Sequence, residues 1–368
     1  MTLRPVLELA HDDRDYAALR DAISEGGGTA YASGSIQPYL IAALAEDPDA
    51  LGTRPVVVVT ADDVTARDLA RDLEAYLAPR RVRHYPSRGT GYASHIAPPP
   101  HLVGLRIAAL DALKSESGNE RPVVVASAVA LAETVPDASL RPEGFSLRVG
   151  EEIDLPFVAE LLAEAGYERI DQVEERGQFA LRGGILDVFG ATEDRAARLE
   201  LFGDEIESIR WFSTFTQRSL GDASELELSP AAELASEHRE VAEAALADDD
   251  PDAGSGAIGA LPVDSFRAPL DVIAADTAFV IASDEEIEPA LRSHWEDVTA
   301  AMHSDDARRL YVDVAEPLAE RAALRLRSTG SDETGLVIRA QAPTSAARSM
   351  TEAEPQLERE VRSGYRVV

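Results

Sequence analysis

The chain has 368 residues, enough for two or three hydrophobic cores rather than one, and its 45% apolar content is that of a globular protein. No run approaches the ~18–20 apolar residues of a membrane span, acids interrupt the N-terminus before any signal-peptide core can form, and cysteine is absent. These features exclude a disulfide scaffold and thiolate metal sites and fit a cytoplasmic protein without membrane contact. The formal charge is −32, from 67 acids against 35 bases of which Lys114 is the single lysine. Without clustered cations to neutralise phosphates, the chain by itself is a poor nucleic-acid binder.

Residues 1–139 alternate strand-like and helix-like stretches. Tyr16, Leu19 and Ile23 recur at helical spacing, TAYA (29–32) reads as a strand, and PYLIAALAE as the helix after it. PVVVVT (55–60) is a continuous β-branched run typical of a fully buried parallel strand, and Asp62 or Asp63 can cap the helix VTARDLARDLEAYL. VRHYP (82–86) and PVVVAS (122–127) add two strands around the helical HLVGLRIAALDAL. Repeated β-α units imply an open parallel sheet with helices on both faces.

Near 140–155 the pattern changes. The helix LPFVAELLAEAGY precedes the strand candidates QFALRGGILDVF, ARLELFG and SIRWFSTF, a small α+β domain with an antiparallel sheet ending near Pro230. The stretch 247–262 is poor in large apolar residues and is expected to be a mobile loop. DTAFVIASDEE and EPALRSHWEDVTAAM restore the α/β signal, and no repeat with a 20–50-residue period is present. EAEPQLEREVRSGYRVV reads as a helix followed by the first residues of a strand from Tyr365, as if a further domain begins there.

The strand-turn-helix at 29–44 sits where a phosphate-binding loop would lie. Gly34 and Ser35 remain of such a loop, but Ile36, Gln37 and Pro38 stand where a Lys and a Ser or Thr are needed to offset phosphate charge and hold Mg²⁺. FVIASDEE (279–286) has the outline of a strand ending in metal-positioning acids; without that lysine, the acids fit better as helix N-terminal residues. No zinc-type histidine spacing and no Gly-x-Ser-x-Gly elbow occur, so no catalytic site is assigned.

Side chains alternate across a strand. Taking 179–189 as one strand, the odd positions Phe179, Leu181, Ile185 and Phe189 form a core face with Leu199 and Leu201, interrupted by Asp187. The even positions Ala180, Arg182, Gly184, Leu186, Val188, Arg198, Glu200 and Phe202 form the other face. Arginine and aromatic side chains of this kind dominate interface hot spots. On parity alone, a Phe202 packed under a neighbouring loop remains an equal reading.

The run 165–220 carries RGQFALRGGILDVF (176–189), RLELFGDEIE (198–207) and QRSL (217–220) in that order. It resembles the module shared by the nucleotide-excision-repair protein UvrB and the transcription-repair coupling factors, and is closest over 150–220. The order of elements along the rest of the chain is similar to the coupling factors' N-terminal region, though RGTGYASH departs from that family's usual acidic Leu-Pro-Tyr stretch.

The resemblance implies an α/β fold: a degenerate P-loop NTPase-like (RecA-like, UvrB-like) parallel sheet interrupted by the small α+β antiparallel-sheet domain. The expected divisions are 1–139 and 231–345 for the two parts of the α/β domain, 140–230 for the α+β domain, and 346–368 for the start of a following one. It implies a UvrA-recruiting module, with Arg182, Arg198 and Phe202 at the positions of the family's UvrA contacts. RNA polymerase, double-stranded DNA, ATP and Mg would be bound by motor regions beyond this chain, which itself is expected to need no cofactor or metal and to catalyse nothing. The alternative is a UvrB-like ATP-dependent damage-loading protein, and a third reading is an acidic DNA mimic.

Overall fold

A computed structural model describes residues 2–89, 98–114, 121–239, 263–301, 308–328, 336–338 and 349–363. The first stretch alternates α1 (Arg14–Ser24), β1 (Gly28–Ala32), α2 (Gln37–Glu46), β2 (Val56–Thr60), α3 (Asp63–Leu77), β3 (Val82–Tyr85), α4 (Pro100–Leu113), β4 (Val123–Ser127), α5 (Ala128–Leu131) and β5 (Val135–Pro136). A second group follows: β6 (Phe145–Arg148), α6 (Leu155–Glu164), β7 (Glu168–Arg169), β8 (Gln178–Arg182), β9 (Ile185–Phe189), β10 (Ala196–Phe202), β11 (Glu205–Phe212), β12 (Ser219–Ala223) and β13 (Glu225–Leu228). The chain then returns through β14 (Phe266–Arg267), α7 (Pro269–Val272), β15 (Ala278–Ile281), α8 (Asp284–Ala301), α9 (Ala315–Arg321), β16 (Ala322–Arg327) and β17 (Leu336–Ile338) to α10 (Met350–Arg362). The 247–262 loop, most of RGTGYASH and the strand expected from Tyr365 lie outside the described residues.

Seven strands form a parallel sheet in the order β17-β1-β16-β15-β2-β4-β3. Strands β15 and β16 insert between β1 and β2, so the sheet is complete only after the chain has passed through the second group. This is the interrupted parallel sheet expected from sequence. Its central strands have no polar face: Val56 and Val58 pack with Leu40, Leu44 and Leu73 on one side, and Val57 and Val59 with Leu110, Leu113 and Phe279 on the other. Helices on both faces explain why PVVVVT is continuously apolar. At the start of α3 the Asp62 carboxylate accepts from the Thr65 N–H at 2.9 Å, an N-cap that satisfies one of the helix's orphan donors.

The second group builds a six-stranded sheet in the order β12-β11-β10-β9-β8-β7, antiparallel except at β7–β8, beside the two-stranded pair β6–β13. Its inner face packs Phe179, Leu186, Val188 and Leu199 against Val158 and Leu162 of α6. The Tyr167 hydroxyl donates to the Ser229 carbonyl (2.7 Å) and accepts from the Ala191 N–H (3.1 Å), closing this core.

A buried ionic cluster ties the end of this unit to the parallel sheet. Arg106 of α4, 1% exposed, donates to Glu133 (2.7 Å), Glu233 (3.1 Å) and the Pro86 carbonyl (2.7 Å), and lies over the Tyr85 ring. Arg88 bonds Glu233 (2.9 Å) and the Thr134 carbonyl (2.6 Å). Burial pushes the Glu133 carboxyl up against the pull of Arg106 and Arg88. Burial opposes ionisation of Glu233 too, but Arg88 and Arg106 outweigh it and hold that carboxyl below its usual range.

Candidate protein-docking face

The chain reverses at Gly183-Gly184. Arg182 pairs with Ile185 across a two-residue hairpin turn, and Gly183 has φ 60, a left-handed conformation that glycine adopts without strain. Residues 179–189 are therefore two antiparallel strands rather than one, and side-chain parity inverts at the turn. This corrects the expected faces: Leu186 and Val188 are fully buried in the inner core, while Ile185, Asp187 and Phe189 share the outer face with Arg182. Gly184 belongs to the turn, not to the face. A Gly-Gly pair between two apolar runs is itself a hairpin signal and could have revealed the inversion.

The inversion also explains Asp187. It lies opposite Arg198 in the β9–β10 register, is only 4% exposed, and accepts from Arg198 Nε at 2.6 Å and Nη2 at 2.7 Å. The guanidinium additionally lies over the Phe212 ring, 4.8 Å from its centroid, and reaches the Gln217 amide oxygen at 3.3 Å. A bidentate carboxylate and a ring beneath it fix the arginine's plane. Its Nη1 donors have no hydrogen-bond partner among the described residues, so Arg198 keeps two oriented N–H groups for an external acceptor. The bond to Asp187, working against partial burial, raises the Arg198 pKa further.

Arg182, Arg198 and Phe202 all lie on this outer face. Phe202, at the end of β10, is 81% exposed, which rules out its packing beneath a loop. Arg182 is exposed, its guanidinium donating to the Asp171 carbonyl. Between them, Glu200 lies opposite Ile185 and pairs with Arg210 (3.4 Å). At the opposite end of the face, Val173 covers Ala180, Ala196 and Phe212, leaving Arg182, Ile185, Glu200 and Phe202 as the open end. A fully exposed phenylalanine forgoes roughly 1.5–3 kcal/mol of burial that a partner can recover.

The phosphate-loop position behaves differently. The turn after β1 is closed by the Ile36 N–H to the Ser33 carbonyl (3.0 Å), Gly34 does not adopt a positive φ, and a Cβ there would meet open space. Gln37 is buried and spends its side-chain amide on the Ala32 carbonyl (3.1 Å) and Ser328 Oγ (3.2 Å). The acids after β15 are also engaged: Asp284 accepts from Arg325 (3.1 Å) and Glu285 from the Ser328 N–H (2.8 Å), both in the first turn of α8. Gly34, Ser35 and Gln37 supply neither a cation nor a glycine-lined cradle, so these side chains do not fit a nucleoside triphosphate with Mg²⁺.

Among the described residues no helix is long and apolar enough to cross a membrane. Residues 145–234, the unit that carries the outer face, match the family described as the UvrB interaction domain. The chain is 32% identical over 203 residues to the transcription-repair-coupling factor of Bacillus subtilis (strain 168), which takes in 55% of this chain and 17% of that protein. It is 37% identical over 170 residues to the transcription-repair-coupling factor of Mycobacterium bovis, 45% of this chain and 14% of the relative. A third relative, the UvrABC system protein B of Thermotoga petrophila, is 27% identical over 194 residues, 49% of this chain and 29% of the relative. The matched stretch thus spans less than a third of each relative's length. Residues 145–234 thus match the UvrB interaction domain, and the chain is similar to the transcription-repair-coupling factors over about half its length.

Proposed function

We propose that this chain is the N-terminal, UvrA-recruiting module of a bacterial transcription-repair coupling factor. The observation that carries the reading is the open end of the outer sheet face, where an 81% exposed Phe202 flanks an Asp187-anchored Arg198 inside a UvrB interaction domain. Arg182, Arg198 and Phe202 are the UvrA contacts in this reading. The parallel sheet serves as a degenerate, non-hydrolysing scaffold in two parts, 1–139 and 231–345, around the 140–230 docking domain, with 346–368 opening the next domain. ATP-dependent translocation on DNA and displacement of RNA polymerase belong to regions of the full-length protein beyond this chain, acting in the cytoplasm.

The experiment is a pull-down of the chain by immobilised UvrA. Wild type is retained, whereas Phe202→Ala is lost without a change in the unfolding midpoint and Arg198→Ala, which leaves the buried Asp187 unpaired, is lost with a lowered midpoint in a chain that is still folded at the assay temperature; retention of both variants would refute the assignment. Similarity to a UvrABC system protein B favours one alternative, a UvrB-like ATP-dependent loader. Saturable micromolar binding of Mg-ATP in a calorimetric titration would support that alternative. Gln37 at the lysine position argues against it.

A further inference from the structure

The most exposed large hydrophobic side chain among the described residues is not Phe202 but Phe215, at 95%. It sits in the six-residue loop Ser213–Arg218 between β11 and β12, where neither strand parity nor helical spacing points to it. Hydrogen bonds within the loop close it tightly. The Ser213 N–H donates to the Arg218 carbonyl (3.0 Å), the Gln217 N–H to the Ser213 carbonyl (2.7 Å), the Thr216 N–H to Ser213 Oγ (3.2 Å), and Gln217 Nε2 to the Thr214 carbonyl (2.8 Å). Gln217 is held at φ 58, a left-handed conformation uncommon for a residue with a side chain. Such a conformation persists where the surroundings over-determine it, and it recurs at ligand-contacting segments. The same Gln217 accepts from Arg198 Nη2, so the loop is bonded directly to the arginine at the centre of the docking face.

We propose that Phe215 is a second aromatic anchor of that face, inserted into an apolar socket of UvrA distinct from the one that receives Phe202. The inference rests on the docking reading above and adds a contact to it. Phe212, which leads into the loop, pairs with Ala196 at one end of β10, and Phe202 stands at the other. Six residues of strand separate the two ends by roughly 20 Å. An interface of ordinary size, about 800 Å² per partner, is roughly 30 Å across and covers both rings. Arg198 lies between them with its Nη1 donors unengaged among the described residues. The complementary surface is therefore two apolar sockets flanking an acidic group, and the pre-closed loop gives up little conformational freedom on docking.

The test is a calorimetric titration of purified UvrA with the 368-residue chain as wild type, Phe215→Ala, Phe215→Tyr and Phe202→Ala. Phe215→Ala is expected to weaken the complex about 10–100-fold with an unchanged unfolding midpoint, and Phe215→Tyr to bind like wild type. Unchanged affinity of Phe215→Ala beside a weakened Phe202→Ala would overturn the second anchor and leave the docking reading standing. A lowered midpoint for Phe215→Ala would overturn it as well, by showing that the ring packs within the fold. Absence of wild-type binding would overturn both.

Discussion

Replacing Asp187 with Asn tests how the docking face is organised, because it alters the group that holds Arg198 without touching Arg198 itself. The carboxylate is 4% exposed and its two bonds to Arg198 are 2.6 and 2.7 Å, the short distances of a charge-assisted pair. Removing one partner of a fully buried pair costs about 3–5 kcal/mol. The Arg198 side chain is 26% exposed, so water can replace part of what is lost, and about 1–2 kcal/mol is expected in a denaturant titration. On binding, an untethered arginine must be immobilised afresh at about 0.5–1.5 kcal/mol, which is roughly a 2–13-fold weaker complex with UvrA. Arg198→Ala removes the contact itself and costs about 2 kcal/mol or more, near 30-fold. The assay is a calorimetric titration of each variant with UvrA beside its unfolding curve. If Asp187→Asn bound like wild type while Arg198→Ala did not, Asp187 would be a structural partner only and the pre-orientation argument would fail.

Other outcomes follow from the same geometry. Glu233→Gln leaves the Arg88 guanidinium without its carboxylate and Arg106 with Glu133 alone, and is expected to cost about 3 kcal/mol in equilibrium unfolding; a near-neutral change would show that the cluster does not hold the two units together. Because the arginines hold the folded Glu233 pKa below its ordinary value of 4.5, its contribution is complete above that pH. It fades as pH falls through the folded value, so wild type should lose stability in acid more steeply than Glu233→Gln. Gly183→Val forces a β-branched residue to φ 60 and is expected to destabilise the hairpin by about 1–2 kcal/mol, seen as a lowered denaturation midpoint; no shift would mean the turn can relax. Mg-ATP up to millimolar concentration is expected to leave the unfolding midpoint unchanged, and a ligand-dependent rise would show that the Gln37 loop still binds nucleotide.

The elements of the parallel sheet were legible where one local signal sufficed. The Val56–Thr60 and Val123–Ser127 strands are buried on both faces and read as unbroken apolar runs, and Asp62 sits directly before the helix it caps. The strand order was not legible, because β15 and β16 enter between β1 and β2 from more than 200 positions downstream. Nor could sequence show that Gln37 spends its amide on Ser328, 291 residues away. In the antiparallel unit, a single unrecognised turn inverted the faces of β9 but left β8 and β10 correct. Arg182, Arg198 and Phe202 therefore came out on one face while Asp187 was left without a partner. Phe215 carries no periodic signal, since its position depends on hydrogen bonds inside one loop and on Gln217 reaching Arg198.

The central claim, that the outer sheet face is what meets UvrA, has an internal control in the same domain. Phe157 on α6, the helix that packs on the inner face, is 55% exposed, and Phe202 on the outer face is 81% exposed. Both rings are open to hydroxyl radicals in the free chain, and their oxidation can be followed by mass spectrometry with and without UvrA. The account predicts strong protection of Phe202 by UvrA and unchanged labelling of Phe157; protection of Phe157 with Phe202 still fully labelled would contradict it.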